Sequence, residues 1–394
     1  MAYVNFKEER AAAVSQLENR RKNNKKVKDK LFKQRDNYKF TCNSRYSFRT
    51  MEDKTIYRSD VLKEDEFLEI CNEDIICGEF INCKFYDIKF VSCNFYGCIF
   101  KNCDFGGGGV IFENCTFVKV DSEDTPSLNK KYNLSCDFID CSVYAEFRNC
   151  DSSYLIFDRC YIHNTNFEVT DMTAIIITDC RIKMLDLTDV DLSDAKLMNC
   201  YVEDLEFTDK YNSRFDEKTF FDKVRIEKHT REEYEGIYKT YETIADKFKA
   251  NNLNNNFGEY YYQGRLAQRK TLKPYLKAFS YIQWFTSGYG ERVLAPLISS
   301  ITMIVIFAVI YMVAGIEIDE EIVISYKEFR TMNFGDFMVY FNEALNLSVG
   351  LFAGMGTINS DPVPVSYLIS DLEMIIGVIM MGVGIGTLTR KIVR

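Results

Sequence analysis

The chain of 394 residues lacks most of the side-chain sets on which catalytic and metal sites are built. It has only two histidines, His163 and His229, and none of its 14 cysteines forms a CxxC pair with zinc-type spacing. It has no Ser/His/Asp set, and the glycine run at 106–109 lacks the lysine and helix start of a phosphate loop. These absences predict a protein that is not an enzyme and has no cofactor and no metal site.

Long apolar runs are also missing until after residue 290. The N-terminal region is charged from Lys7 onward, so we expect no secretory signal peptide. No helix carries the spaced arginines of a voltage sensor, and no nucleotide-binding or calcium-binding motif is recognisable. The sequence therefore does not identify a stimulus.

Residues 80–207 carry a five-residue repeat, a period that fits neither a helix nor a plain alternating strand. An apolar residue, mostly Phe at first and Ile or Leu later, recurs every five residues. The frame shifts at the glycine run, which predicts a bulge, and breaks at a polar insertion around 121–134. A smaller residue stands two places earlier, on the same side of an extended backbone. The cysteines in that place are Cys83, Cys93, Cys98, Cys103, Cys115, Cys136, Cys141, Cys150, Cys160, Cys180 and Cys200.

This pattern resembles the pentapeptide-repeat family. The resemblance implies a right-handed quadrilateral β-helix over 71–207, with four units per turn and about six turns, stabilised by stacking of neighbouring coils. Cysteines spaced in this way are expected to fill the core as small buried hydrophobes. Unpaired cysteines in such numbers suit a reducing cytoplasm.

The regions beside the repeat differ from it in charge and in pattern. Residues 1–40 hold 12 Lys and Arg against 5 Asp and Glu, whereas residues 71–207 hold 11 against 24. We interpret 1–70 as a basic N-terminal arm and cap. The arm is either a solvated or disordered segment, or it contacts anionic lipid or the acidic solenoid. Residues 208–290 predict a cytoplasmic helical linker with a hairpin, because apolar residues have helical spacing in 231–250 and a polar turn at 251–256 precedes a second helix at 257–270.

Residues 291–394 predict a membrane domain with spans of about 293–316 and 366–389. Basic residues flank both spans on the side of the termini, and acidic residues dominate between them. The positive-inside rule then places both termini in the cytoplasm and the connecting loop outside the cell membrane. The turn at 288–290 resembles part of a filter signature, but it precedes the first span and is interpreted as a membrane-entry turn.

Between the spans, a short apolar helix at about 337–349 leads into a glycine-rich stretch at 350–357, which predicts an extended re-entrant segment. This arrangement resembles two-transmembrane potassium-channel-like pore domains. Ala353-Gly354-Met355-Gly356 looks like the Val-Gly-Tyr-Gly filter of that family, with Phe352 in place of its threonine and Met355 in place of its tyrosine. The resemblance implies a homotetramer in which glycine carbonyls replace the water shell of a monovalent cation, potassium or sodium.

The predicted site residues form three groups. The selectivity filter comprises Phe352, Ala353, Gly354, Met355 and Gly356. The outer-pore acids are Asp361, Glu317, Asp319, Glu320 and Glu321, which would concentrate cations at the mouth. The inner helix carries the acids Asp371 and Glu373, costly in a membrane unless they face protein or water, and Gly377 and Gly382, which either permit a gating bend or allow close helix packing.

The sequence thus predicts a multidomain β + α membrane protein with a β-helix, a helical hairpin and a two-span pore domain. The leading hypothesis is a tetrameric cation channel whose repeat domain is a cytoplasmic sensor or assembly domain for an unidentified ligand or protein. The alternative is a membrane-anchored interaction scaffold with a non-conducting, pore-like domain. A third hypothesis comes from the pentapeptide-repeat proteins that resemble DNA and inhibit topoisomerases. Attachment to a membrane disfavours this third hypothesis, and no nucleic-acid partner is expected.

Overall fold

The computed structural model describes residues 4–34, 45–57, 67–119, 134–318, 322–324, 333–356 and 360–393. The chain divides into two compact units, Met1–Thr271 and Leu272–Arg394. The first unit is a β-solenoid with flanking helices, and the second is mainly helical. The helices are α1 (Phe6–Gln34), α2 (Arg231–Ala250), α3 (Asn254–Thr271), α4 (Pro274–Ser287), α5 (Leu294–Ala314), α6 (Phe334–Ala353) and α7 (Tyr367–Val393).

Within the described residues, twenty short strands belong to the first unit and three more belong to the second. Their order along the chain is β1 (Thr50–Glu52), β2 (Thr55–Tyr57), β3 (Leu68–Cys71), β4 (Asp74–Ile76), β5 (Glu79–Ile81), β6 (Lys84–Val91), β7 (Asn94–Tyr96), β8 (Ile99–Lys101), β9 (Asp104–Glu113), β10 (Val118–Lys119), β11 (Leu134–Ser135), β12 (Asp137–Ile139), β13 (Ser142–Arg148), β14 (Ile156–Asp158), β15 (Tyr161–Glu168), β16 (Ile176–Thr178), β17 (Arg181–Thr188), β18 (Lys196–Met198), β19 (Tyr201–Phe207), β20 (Phe220–Phe221), β21 (Ile316–Ile318), β22 (Ile322–Ile324) and β23 (Ser360–Pro362).

Parallel pairing between successive coils builds the solenoid. One sheet has the order β1-β5-β8-β12-β14-β16-β18-β20, and a second has the order β19-β17-β15-β13-β9-β6-β2. Phe157 pairs with Ile177, and Ile177 pairs with Leu197. One coil therefore takes twenty residues, which is four five-residue units, as predicted.

The ladder extends beyond the predicted limits of 71–207. β1 pairs with β5, and β20 pairs with β18, so the solenoid has about seven turns instead of the predicted six. Aromatic side chains lie in the core at both ends, namely Tyr46 at one end and Phe215 and Phe221 at the other. Phe248 of α2 packs on Phe215 with ring centroids 4.9 Å apart, so the α2–α3 hairpin covers the last coil.

The repeat positions fill the solenoid core as stacked ladders. The rings of Phe80 and Phe100 stack with centroids 5.0 Å apart, and those of Phe147 and Phe167 with centroids 4.4 Å apart. The cysteines that the structure describes are free thiols, and those at the repeat position are buried. Burial raises the pKa of the nearby Cys77 thiol to about 12, so it stays protonated. Core filling therefore explains these residues.

A third position of the repeat forms the corners of each coil. Two residues after the apolar position the backbone is left-handed, with φ of 54° at Asn82 and 52° at Asn102, and Asn and Asp adopt this conformation most readily after glycine. Asn102 Nδ2 donates to Asn82 Oδ1 at 2.8 Å, so corner amides also bond between coils. The glycine run forms the predicted bulge, because the register of β6 on β9 shifts between Tyr86 and Ile88.

Helix α1 lies against the solenoid, so the basic arm contacts the acidic solenoid, which is one of the alternatives that the sequence left open. The buried Arg20 donates to the carbonyl oxygens of Tyr154 at 3.1 Å and Ala174 at 2.7 Å. Arg21 forms ion pairs with Asp137 at 3.2 Å and Asp158 at 2.9 Å. The arginines of α1 therefore neutralise part of the acidic face of the solenoid.

The second unit packs α5 against both α6 and α7. The buried residues at their junction include Ala308, Tyr311, Ala344 and Leu347. At one end of these helices, β21 pairs antiparallel with both β22 and β23. The predicted spans of 293–316 and 366–389 correspond to α5 and α7, and α4 is a further helix within the predicted linker.

Candidate functional site in the C-terminal unit

Two helices of this unit are long and apolar enough to cross a membrane, by length and composition. They are Leu294–Ala314 and the segment Pro364–Ile392, and only 28% and 22% of their most apolar stretches is buried. A core helix of a soluble protein would be mostly buried, so the low values favour a surrounding other than water. The exposed apolar residues of α5 include Leu297, Ile301, Val305 and Val309, and those of α7 include Leu372, Ile375, Ile379 and Ile385.

The predicted filter residues lie at the end of α6, and their backbone differs from the prediction. Phe352 and Ala353 form the last turn of α6 rather than an extended stretch. Gly354 follows with φ of 66°, and Met355 N donates to Gly350 O at 3.0 Å. This is a Schellman motif, in which a left-handed glycine ends a helix. Met355 is exposed, Gly356 has φ of 76°, and residues 357–359 lie outside the described residues.

The end of α6 approaches α7 so closely that the contact requires glycine. A Cβ atom added to Gly377 would lie 2.0 Å from the carbonyl oxygen of Phe352. Of the two sequence interpretations of Gly377, this distance supports close packing. The helix continues unbroken from Tyr367 to Val393 through Gly377 and Gly382, and a Cβ atom at Gly382 would meet nothing within 4 Å.

The chain turns back after this contact. Gly377 lies ten residues into α7, which corresponds to about 15 Å along the helix axis from Tyr367. Ser360, only eight residues after Phe352, pairs with Ile318 in the small sheet, and β21 of that sheet begins directly after α5 ends. Phe352 therefore lies beside the middle of α7, whereas Ser360 lies in the small sheet beyond the end of α5.

Glu373 is the point at which α5, α6 and α7 meet through polar side chains. Its carboxyl group is fully buried and accepts a hydrogen bond from Tyr311 Oη at 2.7 Å. Ser348 Oγ of α6 lies within hydrogen-bond distance of the same carboxyl group and, at 2.9 Å, of Ile304 O. We call Tyr311, Ser348 and Glu373 the Glu373 cluster. A buried carboxyl group needs such partners, and here they link three helices.

The other predicted acids occupy different surroundings. Glu317 of β21 is the direct cross-strand partner of Asp361 in β23, so two outer-pore candidates lie side by side. Like charges in opposite positions destabilise a strand pair unless something neutralises them. Asp371 is exposed on α7, unlike Glu373. Asp319, Glu320 and Glu321 lie outside the described residues.

Helix α4 is an element that sequence reasoning missed. It starts with Pro274 in its first turn and ends at Gly288, whose φ is 53°. Its large apolar side chains are mostly exposed, namely Tyr275, Leu276, Phe279, Tyr281, Ile282, Trp284 and Phe285. The proline at the start, the glycine at the end and this aromatic content were the available signals. The predicted turn at 288–290 follows α4 directly.

Among the described residues, no group of three or more His, Cys, Asp or Glu side chains is arranged to hold a metal ion. The Glu373 cluster contains one carboxyl group and two hydroxyl groups. The arrangement can fix the position of α6, and the exposed Gly354–Gly356 segment offers backbone carbonyl groups rather than reactive side chains.

Comparison with known proteins gives a family match for part of the first unit. Residues 80–121 match the family model for pentapeptide repeats (9 copies). Trypsin-treated QnrB1, a plasmid-mediated fluoroquinolone resistance protein, is 17% identical, with 43% of this chain and 91% of that chain covered and a TM-score of 0.13. Full-length QnrB1 is 16% identical, with coverages of 43% and 92% and a TM-score of 0.14. No curated protein matches the chain. The chain contains a pentapeptide-repeat domain, as predicted, and the family match ends before the C-terminal unit.

Proposed function

We propose that the chain is a subunit of a tetrameric cation channel with a cytoplasmic pentapeptide-repeat sensor or assembly domain. In this proposal α5 and α7 cross the cell membrane, and both termini lie in the cytoplasm. Monovalent cations, potassium or sodium, pass along the carbonyl groups of the segment that follows α6. The chain has no enzymatic activity and needs no cofactor.

The return of the chain after α6 is the observation that carries the proposal. Helix α6 ends beside Gly377, and Ser360 already belongs to β23. These two positions support a segment that enters the membrane from one side only. Backbone of this kind is tolerated at membrane depth where it lines water or is buried in protein. The Glu373 cluster and the glycine contact both hold the end of α6 at that depth.

The flanking charges support the proposed orientation. Arg390 and Lys391 lie in the last turn of α7, and Arg269 and Lys270 lie in the last turn of α3, shortly before α4. Cytoplasmic ends of membrane spans carry such basic residues. The exposed aromatic face of α4 fits the headgroup region, where Trp and Tyr side chains are enriched.

The short length of the segment supports a cyclic assembly, for which the proposal takes four copies. One α6 helix and one short glycine segment supply only one wall of a pore, so several copies must close it around an axis. The paired acids Glu317 and Asp361 would then be repeated around the outer mouth. An accumulated cation there would offset the repulsion between them.

Ion flux into liposomes that contain the purified full chain tests this proposal. Wild type is compared with Gly354→Ala/Gly356→Ala, because both glycines have positive φ and alanine there strains the backbone. Gly335→Ala is the matched control, since its Cβ would meet nothing within 4 Å. We expect cation flux that the double variant abolishes or makes unselective and that the control retains.

The alternative function is a membrane-anchored interaction scaffold with a closed pore-like domain. The helical backbone at Phe352 and Ala353, where the filter resemblance predicts extended chain, favours it. Absence of flux from wild type across pH values and added cytoplasmic fractions, with the chain still folded and membrane-inserted, would support the scaffold over the channel.

A further inference from the structure

Glu291 is a buried carboxylate at the opposite end of the C-terminal unit from the small sheet. It lies between α4 and α5 and is 1% exposed. Its oxygens contact Arg390 Nη2 at 3.2 Å and Lys391 Nζ at 3.9 Å, and both basic residues belong to the last turn of α7. The carboxylate therefore ties the end of α7 to the start of α5.

The turn that carries Glu291 is shaped for this contact. Gly288, Tyr289 and Gly290 all have left-handed backbones, with φ of 53°, 56° and 79°. A Cβ atom at Gly290 would lie 2.8 Å from Arg390 Nη1, so glycine permits the approach of the guanidinium group. This feature gives the turn at 288–290 a role that the sequence alone did not assign.

The same turn is joined to α4. Tyr289 Oη and Ser280 Oγ lie 2.8 Å apart, and both residues are buried. Helix α4, the turn and the last turn of α7 are thus connected by one hydroxyl pair and one ion-pair group. We call Ser280, Tyr289, Glu291, Arg390 and Lys391 the α4–α7 clasp.

Helix α4 follows the last helix of the solenoid unit almost directly in the chain. Helix α3 of the solenoid unit ends at Thr271, and α4 begins at Pro274, so only Leu272 and Lys273 separate them. A displacement of α3 would therefore pass to α4 through these two residues. The clasp then provides a path from α4 to the end of α7.

We propose that Glu291 is a positioning residue that couples movement of α4 to the cytoplasmic end of α7. A signal received by the repeat domain would reach the proposed pore by this route. This inference rests on the proposed channel function. Glu291→Gln removes the charge that contacts both Arg390 and Lys391, so we expect it to loosen the end of α7.

Amide hydrogen exchange of the full chain in lipid nanodiscs tests the position of α7 without any need for ion flux. We expect Glu291→Gln to speed exchange in the last two turns of α7 by about tenfold or more. The charge swap Glu291→Arg/Arg390→Glu should restore slow exchange. The control is Glu235→Gln, which removes an exposed ion pair with Arg231 on α2. Unchanged exchange in Glu291→Gln would overturn the inference.

Liposome flux tests the coupling itself. Glu291→Gln should change basal flux at least about threefold, the charge swap should return it toward wild type, and Tyr289→Phe should act in the same direction without adding to Glu291→Gln. Additive effects, or faster exchange with unchanged flux, would contradict coupling through the clasp. If wild type shows no ion flux while Glu291→Gln still speeds amide exchange in α7, the channel function is refuted. The clasp would then only anchor the end of α7.

Discussion

At the scale of single residues, Glu373 has the most consequential surroundings in the C-terminal unit. Its carboxyl group accepts from Tyr311 at 2.7 Å and lies next to Ser348, so hydroxyl groups from α5 and α6 both contact it. An acid in an apolar span is costly, and the sequence alone indicated only that it must face protein or water. The contacts identify protein as its neighbour.

We predict that Glu373→Ala destabilises the C-terminal unit by about 3 kcal/mol, because the buried Tyr311 hydroxyl group loses its acceptor and Ser348 loses its contact with the carboxyl group. Glu373→Gln should cost clearly less, since its amide oxygen still accepts. Thermal unfolding of the full chain in detergent, followed by tyrosine and tryptophan fluorescence, measures the difference. Equal losses for alanine and glutamine would contradict the role of the carboxyl oxygens.

Glu233 gives a second residue-scale prediction, in the first turn of α2. Burial opposes its charge, but its carboxylate accepts from the backbone N–H groups of Glu227, Lys228 and His229, and together these bonds hold the pKa of Glu233 below its usual value. Thr230 caps the same helix, accepting from Glu233 N at 3.3 Å. Thr230 thus caps the helix, and the Glu233 side chain binds the backbone that precedes the cap.

A depressed pKa in the folded state stabilises the protein above the unfolded pKa of about 4.3, and this stability is lost as the pH falls through the folded value. Glu233→Gln should therefore have a lower free energy of unfolding than wild type at pH 6, and this difference in free energy should narrow below about pH 4. Urea unfolding monitored by circular dichroism between these pH values measures it. A gap that stays constant with pH would refute ionisation as the cause.

At the scale of elements, α6 and α7 approach each other closely at Gly377. Gly377→Ala would place a Cβ atom against the carbonyl oxygen of Phe352, so the two helices must separate. We expect a loss of about 3 kcal/mol in stability. Gly386→Ala serves as the control, because its Cβ would meet nothing within 4 Å. Comparable thermal stability of the two variants would contradict the packing role of Gly377.

Helix α1 docks through arginines rather than through apolar surface alone. Arg20 bonds two carbonyl oxygens on successive coils, and burial lowers its pKa to about 10, so it remains charged at neutral pH. Arg20→Ala should release the middle of α1 from the solenoid and raise amide exchange across 13–31 by about tenfold or more. Exposed Lys25→Ala is the control. Slow exchange in both variants would show that α1 docks without Arg20.

The elements also show which features sequence could predict. The coil length, the buried cysteines and the glycine bulge were predictable, because a five-residue period constrains every unit of a stacked core. The docking of α1 was not decided by sequence, since nothing local shows whether Arg20 contacts a solenoid carbonyl or water. The helical backbone at Phe352 was not predicted, because a glycine that ends a helix and a glycine of an extended filter cannot be told apart in the sequence around Gly354. Helix α4 was hidden by its short length and scattered aromatic residues.

At the scale of the whole molecule, the two units are stabilised in different ways. The solenoid gains its core from stacking of each coil on the next, with rings as close as 4.4 Å. The C-terminal unit has few buried apolar residues, and its long helices expose most of theirs. Lipid and neighbouring copies supply the missing contacts in the proposed assembly.

The reversal potential of currents through the full chain in a planar bilayer, under a potassium chloride gradient, tests the central claim most directly. We predict a reversal potential close to that of the cation, shifted toward zero by Gly354→Ala/Gly356→Ala and unaffected by Gly335→Ala. A reversal potential near zero or near that of chloride in wild type, or currents unaffected by the double variant, would contradict a cation pore formed by the segment after α6.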